Sequence, residues 1–358
     1  MQQQIRFCTS SDGVRLAYTV SGDGPPLIKA QNWITHLGHD WQTPVWRHWI
    51  MELGKRFSFV RFDQRGCGLS DADTKEISFE AWVKDLEAVS DAAGFDRFAL
   101  LGISQGAALA IAYAARHPER VSRLVLYGGY ARGWAKRGLP PERLEWMQTL
   151  GKLIELGWGT EDPAFRQVFS TEFMPDASSD QLRSFNEMMR LSTSPSTAVR
   201  IYLAVGELDV QAEARQVSCP SLVMHARGDL RVPFEEGRRL GGLIPGAHFV
   251  SLESANHILL EDEPAWRALL AEVDRFLPTG RSPAAAFAGL TGRERGILEL
   301  MAQGLDNAQI AARLELAEKT VRNHITHLFD KIQVESRAQA IVLARDAGLG
   351  KSAPKPAV

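Results

Sequence analysis

FALLGISQGAALAIAYAAR, residues 98–116, joins a short apolar run, a Gly-x-Ser-x-Gly turn and an alanine-rich stretch of helical character. A strand followed at once by this turn and a helix is the setting of a nucleophile elbow. Gly102 and Gly106 allow close packing there, and Ser104 is held at the top of the sheet near the positive end of the helix. Glycine is common, so the five-residue pattern is weak by itself. Its position between strand and helix predicts a serine nucleophile.

The rest of the first 277 residues alternates in the same way. Further strand-like runs are predicted at 5–9, 15–21, 26–30, 57–62, 121–127, 221–226 and 248–252. Helical patterns at 79–93, 105–117, 234–243 and 264–276 alternate with the later runs. Apolar strands that alternate with helices predict an α/β fold, with a mostly parallel sheet covered on both faces. Residues 131–216 lack strand patterns and are rich in Trp, Phe and Met, which predicts a helical insertion that covers the site as a cap.

A serine hydroxyl needs a base, and the base needs an acid that orients it. Asp229 follows the predicted strand 221–226, and His257 follows the predicted strand 248–252. Carboxyl ends of parallel strands lie at one edge of a sheet, so both side chains are expected on the same edge as Ser104. Each alone is compatible with a turn residue or a helix start. Together they predict the catalytic triad Ser104, Asp229 and His257.

Residues 15–277 resemble the α/β-hydrolase family. The loop Phe62-Asp63-x-Arg65-Gly66-x-Gly68-x-Ser70 is frequent after the fourth strand of that family and supports the resemblance. The family holds the oxyanion with two backbone amides, which the resemblance assigns to Gln105 and Trp33. Gln31-Asn32-Trp33 stands where the family usually has His-Gly-x. A serine at the nucleophile position also argues against the dehalogenase and epoxide-hydrolase chemistry of related enzymes, which use aspartate there.

The aromatic content of the insertion favours an apolar or ester-type small molecule as the ligand. Many of these side chains must pack the cap helices themselves. The residues expected to line the ligand pocket are Trp33, His36, Tyr130 and Trp134.

A different pattern follows a Pro-, Gly- and Ser-rich stretch at 278–286, which predicts a linker. Thr291 and Glu294 form a capping box that opens a helix ending near Gln303. Further helices are predicted at 307–314, 318–332 and 337–347. A short helix, a tight turn and a longer polar helix form the helix-turn-helix geometry that places the longer helix in a major groove. Residues 287–350 are therefore predicted to be an all-α DNA-binding domain, followed by a tail at 351–358.

Val321, Ile325 and Leu328 form the inward stripe of the predicted recognition helix. Arg322 can pair with guanine and Asn323 with adenine, whereas lysines suit phosphates. The predicted DNA-contacting residues are Lys319, Thr320, Arg322, Asn323, Thr326, His327 and Lys331. A small helical bundle with a solvated polar face is the simpler alternative from these residues alone.

This segment resembles a LuxR-type helix-turn-helix domain over its whole length. The matching elements are Leu290-Thr291-x-Arg293-Glu294, Gly304, Asn307, Ile310-Ala311, Lys319-Thr320-Val321, His324, Lys331 and Arg337. Ala317 departs from the serine that many members use to cap the recognition helix, a change that costs about 1 kcal/mol. The resemblance implies double-stranded DNA as a partner and a homodimer formed through the helix at 337–347.

The composition limits the remaining possibilities. The 358 residues carry a formal net charge of -2, and residues 287–358 hold ten Lys/Arg against eight Asp/Glu. Three scattered cysteines give no disulfide framework and no metal spacing, so we expect neither metal nor cofactor. No signal peptide or membrane span is evident, which favours a cytoplasmic protein.

Two functions remain open. One is a DNA-binding transcription regulator whose hydrolase-like domain senses a small apolar or ester-type ligand, with or without slow hydrolysis of that ligand. The other is an active serine esterase with an auxiliary DNA-binding domain.

Overall fold

A computed structural model describes residues 3–158, 160, 163–278, 287, 289–332, 334 and 336–350. The chain divides into two compact units, residues 1–278 and 279–358. Most of the predicted linker, residues 279–286, and the predicted tail, residues 351–358, lie outside the described residues.

The first unit contains one sheet of eight strands in the order β1-β2-β4-β3-β5-β6-β7-β8. β2 pairs antiparallel with β1 and with β4, and every later pairing is parallel. The expected α/β fold with a mostly parallel sheet is confirmed. The strands are β1 (Ile5–Thr9), β2 (Arg15–Ser21), β3 (Pro26–Lys29), β4 (Ser58–Phe62), β5 (Phe98–Ile103), β6 (Val121–Tyr127), β7 (Ser221–Ala226) and β8 (His248–Leu252).

The middle of the sheet is buried on both faces, as its apolar strands require. Every residue of β5 and of β7 is buried, and helices pack against them. The helices that pack against the sheet as a whole are α1 (Leu37–Asp40), α2 (Arg47–Arg56), α3 (Phe79–Ala93), α4 (Gly106–Arg116), α10 (Phe234–Leu243) and α11 (Pro264–Phe276). Local chemistry sets their ends: Ser78 caps the amide of Ala81 at the start of α3, and Gly94 ends that helix at a φ of 74°.

The described segments between β6 and β7 form helices, which we call the cap. They are a 3-10 turn at Trp134–Lys136, then α5 (Pro141–Gly157), α6 (Pro163–Phe173), α7 (Ser179–Ser192), α8 (Pro195–Gly206) and α9 (Gln211–Ala214). The cap is tied to the sheet by backbone contacts: the N–H of Gly68 donates to the carbonyl of Ser192, and the N–H of His257 donates to the carbonyl of Phe173. The cap therefore reaches the carboxyl edge of the sheet.

The loop after β4 is fixed by a buried arginine. The Arg65 side chain is fully buried, and its Nη2 lies 2.7 Å from Oδ1 of Asp85 in α3. Its Nη1 lies 2.6 Å from Oδ2 of Asp12, in the turn between β1 and β2. Two carboxylates thus compensate one buried cation, which binds three segments that are distant in sequence.

The second unit is all-helical and has its own core. Its helices are α12 (Gly292–Ala302), α13 (Asn307–Leu314), α14 (Glu318–Ile332) and α15 (Arg337–Asp346). The predicted capping box of Thr291 and Glu294 is present, and Glu315 ends α13 in the left-handed region at a φ of 53°. Val321, Ile325 and Leu328 are buried, as the stripe on the sequence requires. Across the described ranges, no helix has the length and apolar character needed to cross a membrane.

Candidate active site and DNA-binding surface

Ser104 lies in a sharp turn between β5 and α4. Its φ of 55° is in the left-handed region, which costs a non-glycine residue free energy and is found at functional turns. A Cβ on Gly102 would lie 2.6 Å from Cα of Ala107, and one on Gly106 would lie 2.8 Å from the carbonyl oxygen of Gln31. Glycine is therefore required on both sides of the serine, because the backbone approaches too closely for any other residue.

Asp229 and His257 follow β7 and β8 and meet at the same edge. Nδ1 of His257 lies 2.6 Å from Oδ2 of Asp229. Oδ1 of Asp229 accepts from the backbone N–H groups of Arg231 and Val232, at 2.9 and 2.8 Å. Burial alone would raise the pKa of Asp229, but the charge and hydrogen bonds of the neighbouring histidines hold that pKa below its usual range. The acid therefore stays ionised, and its second oxygen fixes the orientation of the carboxylate.

A second histidine adjoins this pair. His225, in β7, is buried, and its Nε2 lies 3.0 Å from the carbonyl oxygen of Val232 and 3.4 Å from Oδ2 of Asp229. A carbonyl only accepts, so Nε2 of His225 must carry the proton. His225 was not singled out by the sequence, where it is one polar residue in an apolar strand.

Within the part of the chain that the structure describes, the second ring nitrogen of His257, Nε2, is not held by a hydrogen bond as Nδ1 is. Nε2 of His257 is buried and has no hydrogen-bond partner among the described residues. Ser104 and His257 line one cavity together with Trp33 and Phe173. The free imidazole nitrogen and the serine thus border the same space, which is the arrangement that a base and its nucleophile need.

Two amides are available beside Ser104. Gln105 precedes α4, and Trp33 lies in the loop after β3. Neither backbone N–H donates to an acceptor in the part of the chain that the structure describes. Unused amides next to a serine nucleophile are what an oxyanion hole requires.

A larger cleft of about 370 Å³ opens above Ser104 and Gln105. Its walls combine aromatic, apolar and cationic side chains, namely Trp33, Tyr130, Arg137, Met147, Phe173, Val205, Arg231 and Val232. Two of the predicted lining residues, Trp33 and Tyr130, are in this set.

The other two predicted lining residues lie elsewhere. His36 caps the start of α1, where its Nδ1 accepts from the N–H of His39. Trp134 stacks on Tyr202 at a ring distance of 5.4 Å and fills the space beside Gly206, so it packs the cap interior. Arg137 and Arg231 line the cleft instead. Arg231 could have been suspected from its place two residues after Asp229, whereas nothing in the sequence around Arg137 marks it.

The second unit presents most of the predicted DNA-contacting residues to solvent. The side chains of Lys319, Thr320, Arg322, Asn323, Thr326 and His327 are all exposed on α14. Arg322 makes an exposed ion pair with Glu318 one helical turn away, a contact worth little in water and easily exchanged for another. The helix begins at Glu318, with the amides of Thr320 and Val321 donating to the backbone carbonyl of Ala317.

Lys331, also predicted to contact DNA, makes an ion pair within the domain. Its Nζ lies 2.8 Å from Oε2 of Glu294, the carboxylate of the capping box that opens α12. The lysine is therefore engaged within the domain, holding α14 to the start of α12. The ion pair compensates the charge of Lys331, and 41% of the lysine side chain stays exposed.

The sequence pattern of the alpha/beta hydrolase fold family matches residues 38–264. The chain belongs to the alpha/beta hydrolase fold family. The pattern of the luxR family of bacterial regulatory proteins matches residues 288–344, so this alpha/beta hydrolase carries a LuxR-type DNA-binding domain. Such a domain implies that the protein binds DNA.

Three similar proteins illustrate the two parts. "AB hydrolase superfamily protein YisY" of Bacillus subtilis is 27% identical over 74% of this chain and 97% of its own length. "DNA-binding transcriptional activator DevR/DosR" of Mycobacterium tuberculosis is 50% identical over 58 residues, which are 16% of this chain and 27% of that protein. The esterase EaEST of Exiguobacterium antarcticum has the same fold, with a TM-score of 0.64 at 20% identity over 75% of this chain and 98% of its own.

Proposed function

We propose that this alpha/beta hydrolase is a ligand-responsive DNA-binding regulator. Residues 1–277 bind and slowly hydrolyse a small ester-type ligand, and residues 287–350 bind double-stranded DNA. One observation carries the proposal: the chain that holds Ser104 in a capped cavity beside a bonded Asp229 and His257 also holds a LuxR-type domain. A metabolic hydrolase has no need of a DNA-binding domain, whereas a sensor needs a ligand pocket.

The proposed chemistry uses the side chains in the order in which they meet the substrate. His257 Nε2 takes the proton of Ser104 as Oγ attacks the ester carbonyl, and Asp229 holds the imidazole in the required tautomer. The amides of Gln105 and Trp33 hold the oxyanion. The alcohol leaves with the proton from His257, and the acyl group stays on Ser104. Water, activated by His257, then releases the acid and restores the serine.

The proposed sensing step needs two states of the protein. A ligand shifts an equilibrium only as far as its affinities for the two states differ. The cap is our candidate for the element that differs between the two states. The carbonyl of Phe173 accepts from the N–H of His257, and Phe173 also lines the cleft. In this proposal a homodimer formed through α15 places two recognition helices on paired half-sites.

The second candidate function is an active esterase with an auxiliary DNA-binding domain. The observation that favours it is the buried contact between Asp229 and His257, at 2.6 Å, which a pure sensor does not need. YisY and EaEST carry hydrolase and esterase names, which agrees with either function.

The deciding experiment compares the full-length protein with its Ser104→Ala variant. We would select bound fragments from sheared genomic DNA and measure their affinity with and without small-molecule extract of the producing cells. A regulator keeps the ligand response in Ser104→Ala, and the wild type hydrolyses 4-nitrophenyl esters slowly. Rapid ester turnover with DNA affinity that no extract changes would instead support the esterase and overturn the sensor.

A further inference from the structure

Two arginines, Arg137 and Arg231, line the cleft above Ser104, and the backbone carbonyl of a third, Arg132, contacts Arg137. Arg132 and Arg231 are neutralised by carboxylates. Nη2 of Arg132 lies 2.6 Å from Oε1 of Glu236. Nη1 of Arg231 lies 2.9 Å from Oε2 of Glu172. Arg137 has no carboxylate within ion-pair distance among the residues that the structure describes. The wall of the cleft therefore holds one uncompensated positive charge.

The position of Arg137 is fixed by contacts that leave its terminal nitrogens unused. Nε donates to the carbonyl of Arg132 at 3.0 Å, and the guanidinium lies over the ring of Tyr130 at 4.8 Å. Neither terminal nitrogen of Arg137 donates to a described residue. The Arg137 side chain is partly buried, and this burial lowers the pKa of its guanidinium. A half-buried cation without a partner is unfavourable unless something else compensates it.

Tyr130 adds a second unused donor to the same wall. Its hydroxyl donates to no acceptor in the described ranges, and the residue lines the cleft with Arg137 and Ser104. Burial raises the pKa of Tyr130 to about 12, so the hydroxyl keeps its proton at neutral pH. A guanidinium and a phenol hydroxyl directed at one space are together suited to an oxygen anion.

We propose that the ligand of this site is a small ester that carries one free carboxylate, bound by Arg137 and the Tyr130 hydroxyl while its ester group reaches Ser104. This inference rests on the proposed function and names the substrate class of the same site. It also narrows the expectation from the sequence, which was an apolar or ester-type ligand. An entirely apolar ligand would displace water from Arg137 and leave its charge unpaired.

A carboxylate fits better than a phosphate. One guanidinium matches one carboxylate in charge, and the two oxygens of a carboxylate suit the two terminal nitrogens. A phosphate monoester carries nearly two negative charges at neutral pH, which Arg137 alone cannot compensate. Met147, Phe173 and Val205 form an apolar part of the wall, which suits the carbon chain between the two ends of the ligand.

The test compares two 4-nitrophenyl esters with five-carbon acyl groups in the full-length protein. One is the hemiester of glutaric acid, which has a free carboxylate, and the other is the neutral pentanoate. We expect kcat/KM to favour the hemiester by about tenfold or more, the size of a charged hydrogen bond. Arg137→Gln should abolish that preference by lowering kcat/KM for the hemiester, and Arg137→Lys should retain part of it.

The matched control is Arg143→Gln, the same change at an exposed position of α5. It should keep the wild-type preference. A wild type that prefers the pentanoate, or an Arg137→Gln variant that keeps the preference, would overturn the inference.

A binding measurement separates this inference from the proposed chemistry. Ser104→Ala is titrated with monomethyl glutarate and with methyl pentanoate in a calorimeter. If Ser104→Ala binds monomethyl glutarate but not methyl pentanoate, and the wild type hydrolyses neither 4-nitrophenyl ester, the inference is supported and the proposed hydrolysis is refuted. If the wild type hydrolyses only the pentanoate ester, the proposed hydrolysis is supported and the inference of a carboxylate-bearing ligand is refuted. Absence of both turnover and millimolar binding of monomethyl glutarate would overturn the inference.

Discussion

Nε2 of His225 lies 3.4 Å from Oδ2 of Asp229, the same carboxylate oxygen that lies 2.6 Å from Nδ1 of His257. Two imidazoles thus converge on one oxygen, while the other oxygen accepts two backbone amides. A Cβ on Gly237 would lie 2.2 Å from Nδ1 of His225, so the backbone of α10 fixes the buried ring from behind. We interpret His225 as a positioning residue, which acts on His257 only through Asp229.

Replacing His225 with leucine should lower kcat for ester hydrolysis by roughly tenfold, because Asp229 loses a hydrogen-bond donor that helps to hold it. KM should change little, since His225 does not line the cleft. His225→Gln keeps an N–H near the same position and should restore part of kcat. Steady-state kinetics of both variants provide the measurement. A rise in KM with unchanged kcat would show that His225 shapes the pocket instead.

Asp229→Asn should have a much larger effect. An amide can no longer hold the tautomer in which Nε2 of His257 is the base, and the expected loss in kcat is about 10⁴-fold. The fold should persist, because the asparagine oxygen can still accept from the amides of Arg231 and Val232. We would measure kcat with 4-nitrophenyl pentanoate and the melting temperature in parallel. A loss below about tenfold would remove Asp229 from the mechanism.

The triad candidates and Arg137 differ in how well the sequence predicts their positions. Ser104, Asp229 and His257 each follow a recognisable apolar strand, and the parallel sheet brings those strand ends to one edge. Arg137 comes from a cap whose helices follow no comparable rule of order, so its place at the cleft depends on tertiary packing. The contact of Lys331 with Glu294 also depends on tertiary packing. A lysine on a recognition helix predicts a contact with DNA phosphate, and its sequence position does not reveal a partner 37 residues away.

Arg65→Met should destabilise the first unit by about 3–5 kcal/mol, since it leaves Asp85 buried without its cation. Urea denaturation followed by tryptophan fluorescence measures the free energy of unfolding of the first unit, because all nine tryptophans of the sequence lie in that unit. Arg116→Met is the matched control, because it breaks a partly exposed ion pair with Glu80 that is worth at most about 1 kcal/mol. Equal losses in the two variants would contradict the assignment of Arg65.

Lys319 and Arg322 of the LuxR-type domain should contribute differently to DNA binding. Lys319→Gln should weaken binding to all sequences and reduce the slope of log affinity against log salt by about one. Arg322→Ala should instead relax sequence preference, at a cost of about 1–3 kcal/mol for the preferred site. Competition binding over a range of salt concentrations measures both. Unchanged sequence preference in Arg322→Ala would refute its role as a base reader.

The contact between Glu294 and Lys331 predicts a pH dependence. Lys331, helped by Thr291, lowers the pKa of Glu294 from 4.5 to about 2. A carboxyl group with a lowered pKa adds stability above its ordinary pKa, and that stability is lost as the pH falls from about 4.5 toward 2. Glu294→Gln should therefore reduce the hydrogen-exchange protection of α12 at pH 7 and at pH 5, and less so at pH 3.5. Glu299→Gln, an exposed change in the same helix, serves as the control. A Glu294→Gln effect that does not depend on pH would contradict the ion pair.

The burial of Arg65 also limits how far the chain can be shortened. One of its two carboxylate partners, Asp12, lies before the second strand, so a version of the protein starting at Arg15 would lack it. Such a truncation would remove an edge strand and also one of the two carboxylate partners of the guanidinium at the centre of the loop, which supports the cap through Gly68. The first fourteen residues thus help to stabilise the pocket, although β1 lies at the edge of the sheet, away from the pocket.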